Sequence, residues 1–105
     1  MANNFKNKGA SVGTSPTTVY TAPAATTTLV HALYISNIHA TNSATVDIYI
    51  TNGSGDFYIA KNLNVLSGTT AILDKPLNLE TTNILKAVAS AASTIQIFAS
   101  LLEMT

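Results

Sequence analysis

Few residues in this sequence have the type and spacing that chemistry requires. Its five acidic residues lie far apart along the chain, at Asp47, Asp56, Asp74, Glu80 and Glu103. General acid–base catalysis usually needs a tuned pair of carboxylates, and nothing marks such a pair here. A G-x-S-x-G nucleophile motif and a glycine-rich phosphate loop are also missing. The sequence therefore predicts a protein that is not an enzyme and that binds no cofactor.

Metal binding has equally little support. His31 and His39 fall on one predicted strand, and eight residues of strand separate them by about 26 Å, too far to share an ion within one chain. The run Asn52–Asp56 offers oxygen ligands at alternate positions, but it lacks the later glutamate of a calcium loop. Its Asn-Gly-Ser-Gly composition favours a hairpin turn. We expect no metal site.

The composition excludes several classes of partner. Only 10% of the 105 residues are charged, against about 25% in an average globular protein. The formal net charge is zero and there is no arginine, so a nucleic-acid footprint is absent. The N-terminus lacks the apolar core of a signal peptide, and no apolar run is long enough to span a membrane. A surface so poor in charge is easily desolvated, which favours a subunit in permanent contact with neighbours.

Hydrophobic periodicity predicts an all-β protein. About eight short strands, separated by turns, indicate an antiparallel β-sandwich of either jelly-roll or immunoglobulin-like topology. Residues 16–105 form the single sandwich domain, and residues 1–15 form an N-terminal arm or a weak edge strand. The segments 45–51 and 57–61 are expected to make a hairpin around the Asn52–Asp56 turn. Segments 83–89 and 94–102 are expected to make a closing hairpin.

The last predicted strand is apolar on both faces. Phe98 and Leu102 alternate with Ile95, Ile97 and Leu101, so the sandwich core uses only one of the two sets. We therefore expect Phe98 and Leu102 to contact another copy of the chain. Two tyrosines that flank the hairpin turn, Tyr49 and Tyr58, are expected on an outer face, where they would add to the contacts between copies.

Two segments resemble small virion structural proteins of tailed bacteriophages. One is Pro16–Asn37, which reads TTVYTAPAATTTLVHALYISN from Thr17 onward, and the other is Leu79–Glu103, with its Ala-Ser-Ala-Ala-Ser turn. The resemblance implies a β-sandwich on the particle exterior that is made in the host cytoplasm. It further implies a capsid decoration (cement) subunit, expected to form a homotrimer, that contacts the major capsid protein.

Within that expectation, Phe5, Lys6 and Lys8 of the N-terminal segment are the predicted capsid contacts. The same resemblance also fits a phage tail or fibre component. A carbohydrate-binding module is the alternative from another class, although such modules favour exposed tryptophan and the sequence has none.

Overall fold

The computed structural model describes residues 2–105, and every regular element in that range is a β-strand. The prediction of an all-β sandwich is confirmed, with nine strands where about eight were expected. The strands are β1 (Asn3–Val12), β2 (Thr17–Thr21), β3 (Thr27–Asn37), β4 (Ala44–Thr51), β5 (Asp56–Val65), β6 (Thr70–Leu73), β7 (Leu77–Leu79), β8 (Ile84–Ala89) and β9 (Ile95–Met104).

The strands form two antiparallel sheets. A five-stranded sheet has the order β1-β9-β3-β6, with β7 also paired to β3, and a four-stranded sheet has the order β2-β8-β4-β5. The pairs β1–β9, β2–β8, β3–β6 and β4–β5 are nested, as in a long hairpin folded over on itself. This nesting is the jelly-roll topology, so the structure decides between the two topologies that the sequence left open.

The predicted closing hairpin is wrong. Strand β8 pairs with β2 and β4 in the four-stranded sheet, whereas β9 pairs with β1 and β3 in the other sheet. The turn at residues 90–93 therefore crosses from one sheet to the other. Sequence alternation could not reveal this, because each strand buries one set of side chains whichever neighbour it pairs with. The hairpin β4–β5 around residues 52–55 is present as predicted.

The core lies between the two sheets and is almost entirely aliphatic. Strand β9 contributes Ile95, Ile97, Ala99 and Leu101, each no more than 1% exposed. The facing sheet contributes the inward-pointing residues of β4 and β8, which include Ile48 and Leu85. Regular alternation of buried and exposed residues along β8 and β9 thus fixes which side of each strand faces outward.

The side chain of Tyr20 makes polar contacts that join the two sheets. The Tyr20 hydroxyl, on β2, donates a hydrogen bond to Glu103 Oε2 on β9 at 2.5 Å. The same hydroxyl lies 2.8 Å from the hydroxyl of Thr28 on β3. Burial, followed by the hydrogen bond to the Glu103 carboxylate, raises the pKa of Tyr20 to about 12. Tyr20 therefore stays protonated and links both sheets.

Strand β1 lies at the edge of the five-stranded sheet. All ten of its residues pair with β9 in unbroken register, from Asn3 opposite Met104 to Val12 opposite Ile95. Val12 belongs to the core and is 1% exposed, whereas the residues from Asn3 to Gly9 are exposed. Residues 3–12 of the predicted N-terminal segment thus form an edge strand, and its last residue, Val12, packs in the core of the sandwich.

Candidate assembly surface

The outer face of the five-stranded sheet brings together residues from all of its strands. Cross-strand register places Phe98 of β9 beside Gly9, Tyr34 and Ile72 in one row. A second row, nearer the end of β9, aligns Leu102 with Phe5 and Leu29. Cross-strand neighbours on one face are close enough for their side chains to touch.

No lysine, arginine, aspartate or glutamate occupies an outward position in this sheet among the described residues. We call this surface the uncharged face. Its residues are Asn3, Phe5, Asn7, Gly9 and Ser11 of β1, Gln96, Phe98, Ser100, Leu102 and Met104 of β9, Thr27, Leu29, His31, Ala32, Tyr34 and Ser36 of β3, Thr70 and Ile72 of β6, and Asn78 of β7.

Four large apolar side chains of the uncharged face are exposed to solvent, whereas Leu29, Leu102 and Met104 are half-buried. Phe5 is 87% exposed, Ile72 55%, Phe98 47% and Tyr34 39%. A groove of about 330 Å³ runs beside Phe98 and Tyr34, and a second of about 170 Å³ lies between Phe5 and Leu102. The surface therefore has both protruding aromatic side chains and depressions that can receive them.

A β-bulge in β3 sets the composition of this face. The pairing with β9 shifts between Val30 and Ala32, which leaves His31 as the extra residue. His31 is exposed and lines the groove that Phe5 and Leu102 also line. The bulge reverses the alternation, so that Leu29 and Tyr34 point outward together. A count of odd and even positions in the sequence places them on opposite faces.

Phe5, Lys6 and Lys8, the three residues predicted to contact the capsid, do not share one face. Phe5 lies opposite Leu102 on the uncharged face, and a β-carbon at Gly9 would contact Phe98 at 3.8 Å on that same face. Lys6 and Lys8 alternate with these residues and so project on the other side of β1, the side on which Val12 enters the core. A partner that touches all three residues must therefore approach along the edge of β1.

The two tyrosines lie on the opposite outer face of the sandwich. Tyr49 and Tyr58 are cross-strand neighbours whose ring centroids are 5.1 Å apart, with an interplanar angle of 40°. Tyr58 is 51% exposed, but Tyr49 is only 6% exposed. Burial is the main cause that raises the pKa of Tyr49 above its ordinary value. Tyr58 is thus available for contact with another protein, whereas Tyr49 is buried and packs against the Tyr58 ring.

This second outer face is charged. Asp47 Oδ2 accepts a hydrogen bond from Lys61 Nζ at 3.0 Å, and the same ammonium group lies 4.7 Å from the centroid of the Tyr58 ring. Asp47 Oδ1 accepts a hydrogen bond from the backbone N–H of Asn62 at 2.8 Å. That bond, assisted by Lys61, holds the pKa of Asp47 below its ordinary value. Lys86 also points outward here, opposite Tyr49.

The described residues show no arrangement suited to a metal ion. In residues 2–105 there is no group of three or more histidine, cysteine or acidic side chains close enough to bind one. The same part of the chain has no helix capable of crossing a membrane. Its most distinctive surface feature remains the contrast between an uncharged and a charged outer face.

Comparison with known proteins identifies the fold. No protein family matches the sequence, and no curated protein matches it. A solved structure of Bacillus endospore appendages, described as a novel family of disulfide-linked pili, matches 99% of this chain and 87% of its own chain, with a TM-score of 0.59 and 12% identity. At this identity the likeness shows a shared fold.

Two viral structures are more distant. A structure of infectious bursal disease virus, strain Gx, matches 96% of this chain at a TM-score of 0.48 and 13% identity. Strain Gt of the same virus matches at a TM-score of 0.46 and 16% identity. The chain spans 28% and 31% of the two viral chains.

Proposed function

We propose that this protein is a non-enzymatic structural subunit of a virus particle, of the capsid-decoration type that its sequence resembles, and that its copies associate through the uncharged face. The observation that carries the proposal is the absence of charge from an exposed sheet face that presents Phe5, Phe98 and Ile72. Exposed apolar surfaces of this kind are typical of sites that bind other proteins.

The uncharged face is large enough to supply most of one side of a specific interface. Three strands of ten or eleven residues, with the short strands β6 and β7 beside β3, give an outline of roughly 500 Å² at a strand spacing of about 4.8 Å, before side-chain relief is added. A standard interface buries about 800 Å² of accessible surface on each partner. Phe98 is 47% exposed in the single chain, so its complete burial would contribute roughly half of the gain of about 1.5–3 kcal/mol for a fully exposed side chain of this size. Because no formal charge must be desolvated, little of that gain is lost.

Phe98 and Leu102 are the residues proposed for contacts between copies on this face. Tyr58, with Tyr49 beneath it, is a proposed contact on the opposite face. Because the sequence has no cysteine, association between copies of it would be non-covalent. Burial of shape-complementary aromatic surface therefore has to supply its stability.

The major capsid protein is the proposed partner of the N-terminal strand, with Phe5, Lys6 and Lys8 as its contacts. Point substitutions test this better than deletion of the segment, because Val12 is in the core and β1 covers one edge of β9. We expect F5S and the double variant K6S/K8S to bind more weakly to undecorated capsids while unfolding at the wild-type temperature. Unchanged binding by both variants would contradict the proposed contact.

The place of the protein in a particle is tested by counting its copies. Quantitative mass spectrometry of purified virions should find a copy number comparable with that of the major capsid protein, and cryo-electron microscopy should place the protein on the outer surface of the capsid. A few copies per particle, located at the tail, would support the tail or fibre alternative instead. Absence from purified virions would overturn the proposal.

A further inference from the structure

Strand β1 presents a long open sheet edge. It runs for ten residues, pairs with β9 without a register shift, and has no proline. In the described part of the chain it pairs with no other strand. Such an edge is a template for a further strand, and proteins normally shorten, bend or protect it.

The backbone groups at this edge can be assigned from the register. Ala2 and Thr105 exchange both backbone hydrogen bonds, with N–O distances of 3.1 and 2.9 Å. Hydrogen-bonded and non-hydrogen-bonded pairs alternate along an antiparallel ladder. The even-numbered residues of β1 therefore bond to β9, and the odd-numbered residues from Asn3 to Ser11 direct their N–H and C=O groups away from it.

Lys6 and Lys8 control what can pair with these groups. Both side chains are exposed, and the one ion pair among residues 2–105 is formed elsewhere, by Lys61 and Asp47. If a second copy paired antiparallel about Asn7, Lys6 of each copy would lie directly opposite Lys8 of the other. Like charges in directly opposed positions destabilise a sheet.

We propose that β1 is a strand-docking edge that disfavours pairing with a second copy about Asn7 and accepts an extended segment of another protein with carboxylates at positions i and i+2. Those carboxylates would face Lys6 and Lys8, while the segment's main chain would bond to the odd-numbered residues. The sequence of this chain has no two acidic residues at that spacing. The inference rests on the proposed role of β1 in binding a partner, but not on which particle is involved.

A charge-reversed copy of the chain provides a defined acidic partner. In a mixture of ¹⁵N-labelled wild type with unlabelled K6E/K8E protein, each lysine can lie opposite a glutamate. We expect the outward amides of Phe5, Asn7 and Gly9 to exchange with solvent at least roughly tenfold more slowly than in wild type alone. Adding N7P to the unlabelled protein should abolish this protection, because proline at an outward position removes an edge donor without breaking the pairing with β9.

Two results would overturn the proposal. One is unchanged amide exchange in the mixture, and the other is protection of the same amides in wild type alone. If K6E/K8E does not fold, K6E alone carries the test, because the introduced carboxylate of each copy then opposes Lys8 of the other and K6E should gain the protection by self-pairing. Phe5, Asn7 and Gly9 also belong to the uncharged face, so both proteins in the mixture carry F98E, which removes association through that face. The result then stands apart from the outcome for the proposed function.

Discussion

At the scale of single residues, Tyr20 is a polar group that joins the two sheets. Its hydroxyl contacts Glu103 on one strand and the fully buried Thr28 on another. In Y20F both partners lose that contact. We expect the variant to lose about 1–3 kcal/mol of unfolding free energy at neutral pH, as measured by urea denaturation. A loss below about 0.5 kcal/mol would show that the inter-sheet contact is unimportant.

The raised pKa of Tyr20 also predicts alkaline sensitivity. The folded pKa is about 12 and the ordinary value is 10.0, so the folded state holds its proton more tightly. The stabilisation is complete below pH 10 and declines as the pH rises from about 10 to about 12, by at most about 3 kcal/mol. Denaturation of wild type and Y20F across this range should show the steeper loss in wild type. Parallel curves would contradict the assignment.

Asn37 illustrates a buried polar residue whose role is structural. Its side-chain amide donates to the carbonyl oxygens of Asn42 and Val65, each at 2.9 Å, and its Oδ1 accepts from the His39 N–H at 2.9 Å. Asn37 is 2% exposed, so truncation leaves these groups without partners. We expect N37A to cost about 2–4 kcal/mol in chemical denaturation. The control S36A, on the adjacent outward position, should cost far less.

Some residue-scale features were predictable and others were not. Alternation along β9 correctly separated Phe98 and Leu102 from the core set, because a regular strand has only two faces. The same rule separates Phe5 from Lys6 and Lys8, which the sequence analysis grouped by proximity in the chain. The outward positions of Leu29 and Tyr34 depend on the bulge at His31, and no residue type in Val30–Ala32 indicates that bulge.

At the scale of elements, β5 contains an irregularity that Asp47 stabilises. Asn62 has a φ of 53°, in the left-handed region, and the Asp47 carboxylate accepts its backbone N–H. Asparagine and glycine tolerate this conformation, whereas β-branched residues do not. We expect N62G to be nearly neutral and N62V to cost about 1–3 kcal/mol in thermal or urea unfolding. Equal stability of the two variants would exclude strain at this position.

The Asp47 contact should also weaken in acid. Its folded pKa is depressed, chiefly by the Asn62 N–H, so its stabilisation is present above the ordinary value of 3.8 and is lost as the pH falls below it. The difference in unfolding free energy between wild type and D47N should therefore shrink as the pH is lowered from 5 to 2. A difference that stays constant across that range would contradict this account.

The pairing of the strands could be predicted from the sequence only in part. The hairpin β4–β5 was predictable because Asn-Gly-Ser-Gly is strong local turn chemistry. The turn at residues 90–93 has similarly small residues but joins strands of different sheets. Which sheet a strand enters depends on contacts between residues far apart in the chain, such as those of β9 with β1 and β3. Local patterns do not encode these contacts.

At the scale of the whole molecule, the two outer faces are inequivalent and point in opposite directions. Phe98 and Leu102 lie on the uncharged face, and Tyr58 lies on the charged one beside Lys61. A contact that joins these two faces would be heterologous and, because the faces are opposite, would stack copies into an open array. The proposed homotrimer must therefore close through the uncharged face, which leaves Tyr58 for a separate contact.

The central claim is that copies associate through the uncharged face, and sedimentation velocity of the purified protein tests it most directly. Wild type should sediment as an oligomer at micromolar concentration, and F98E should sediment as a monomer that retains the wild-type unfolding temperature. The control F57E, which alters a side chain that is 57% exposed near the β4–β5 turn, should remain oligomeric. A monomeric wild type, or an F98E variant that associates as strongly as wild type, would contradict the claim.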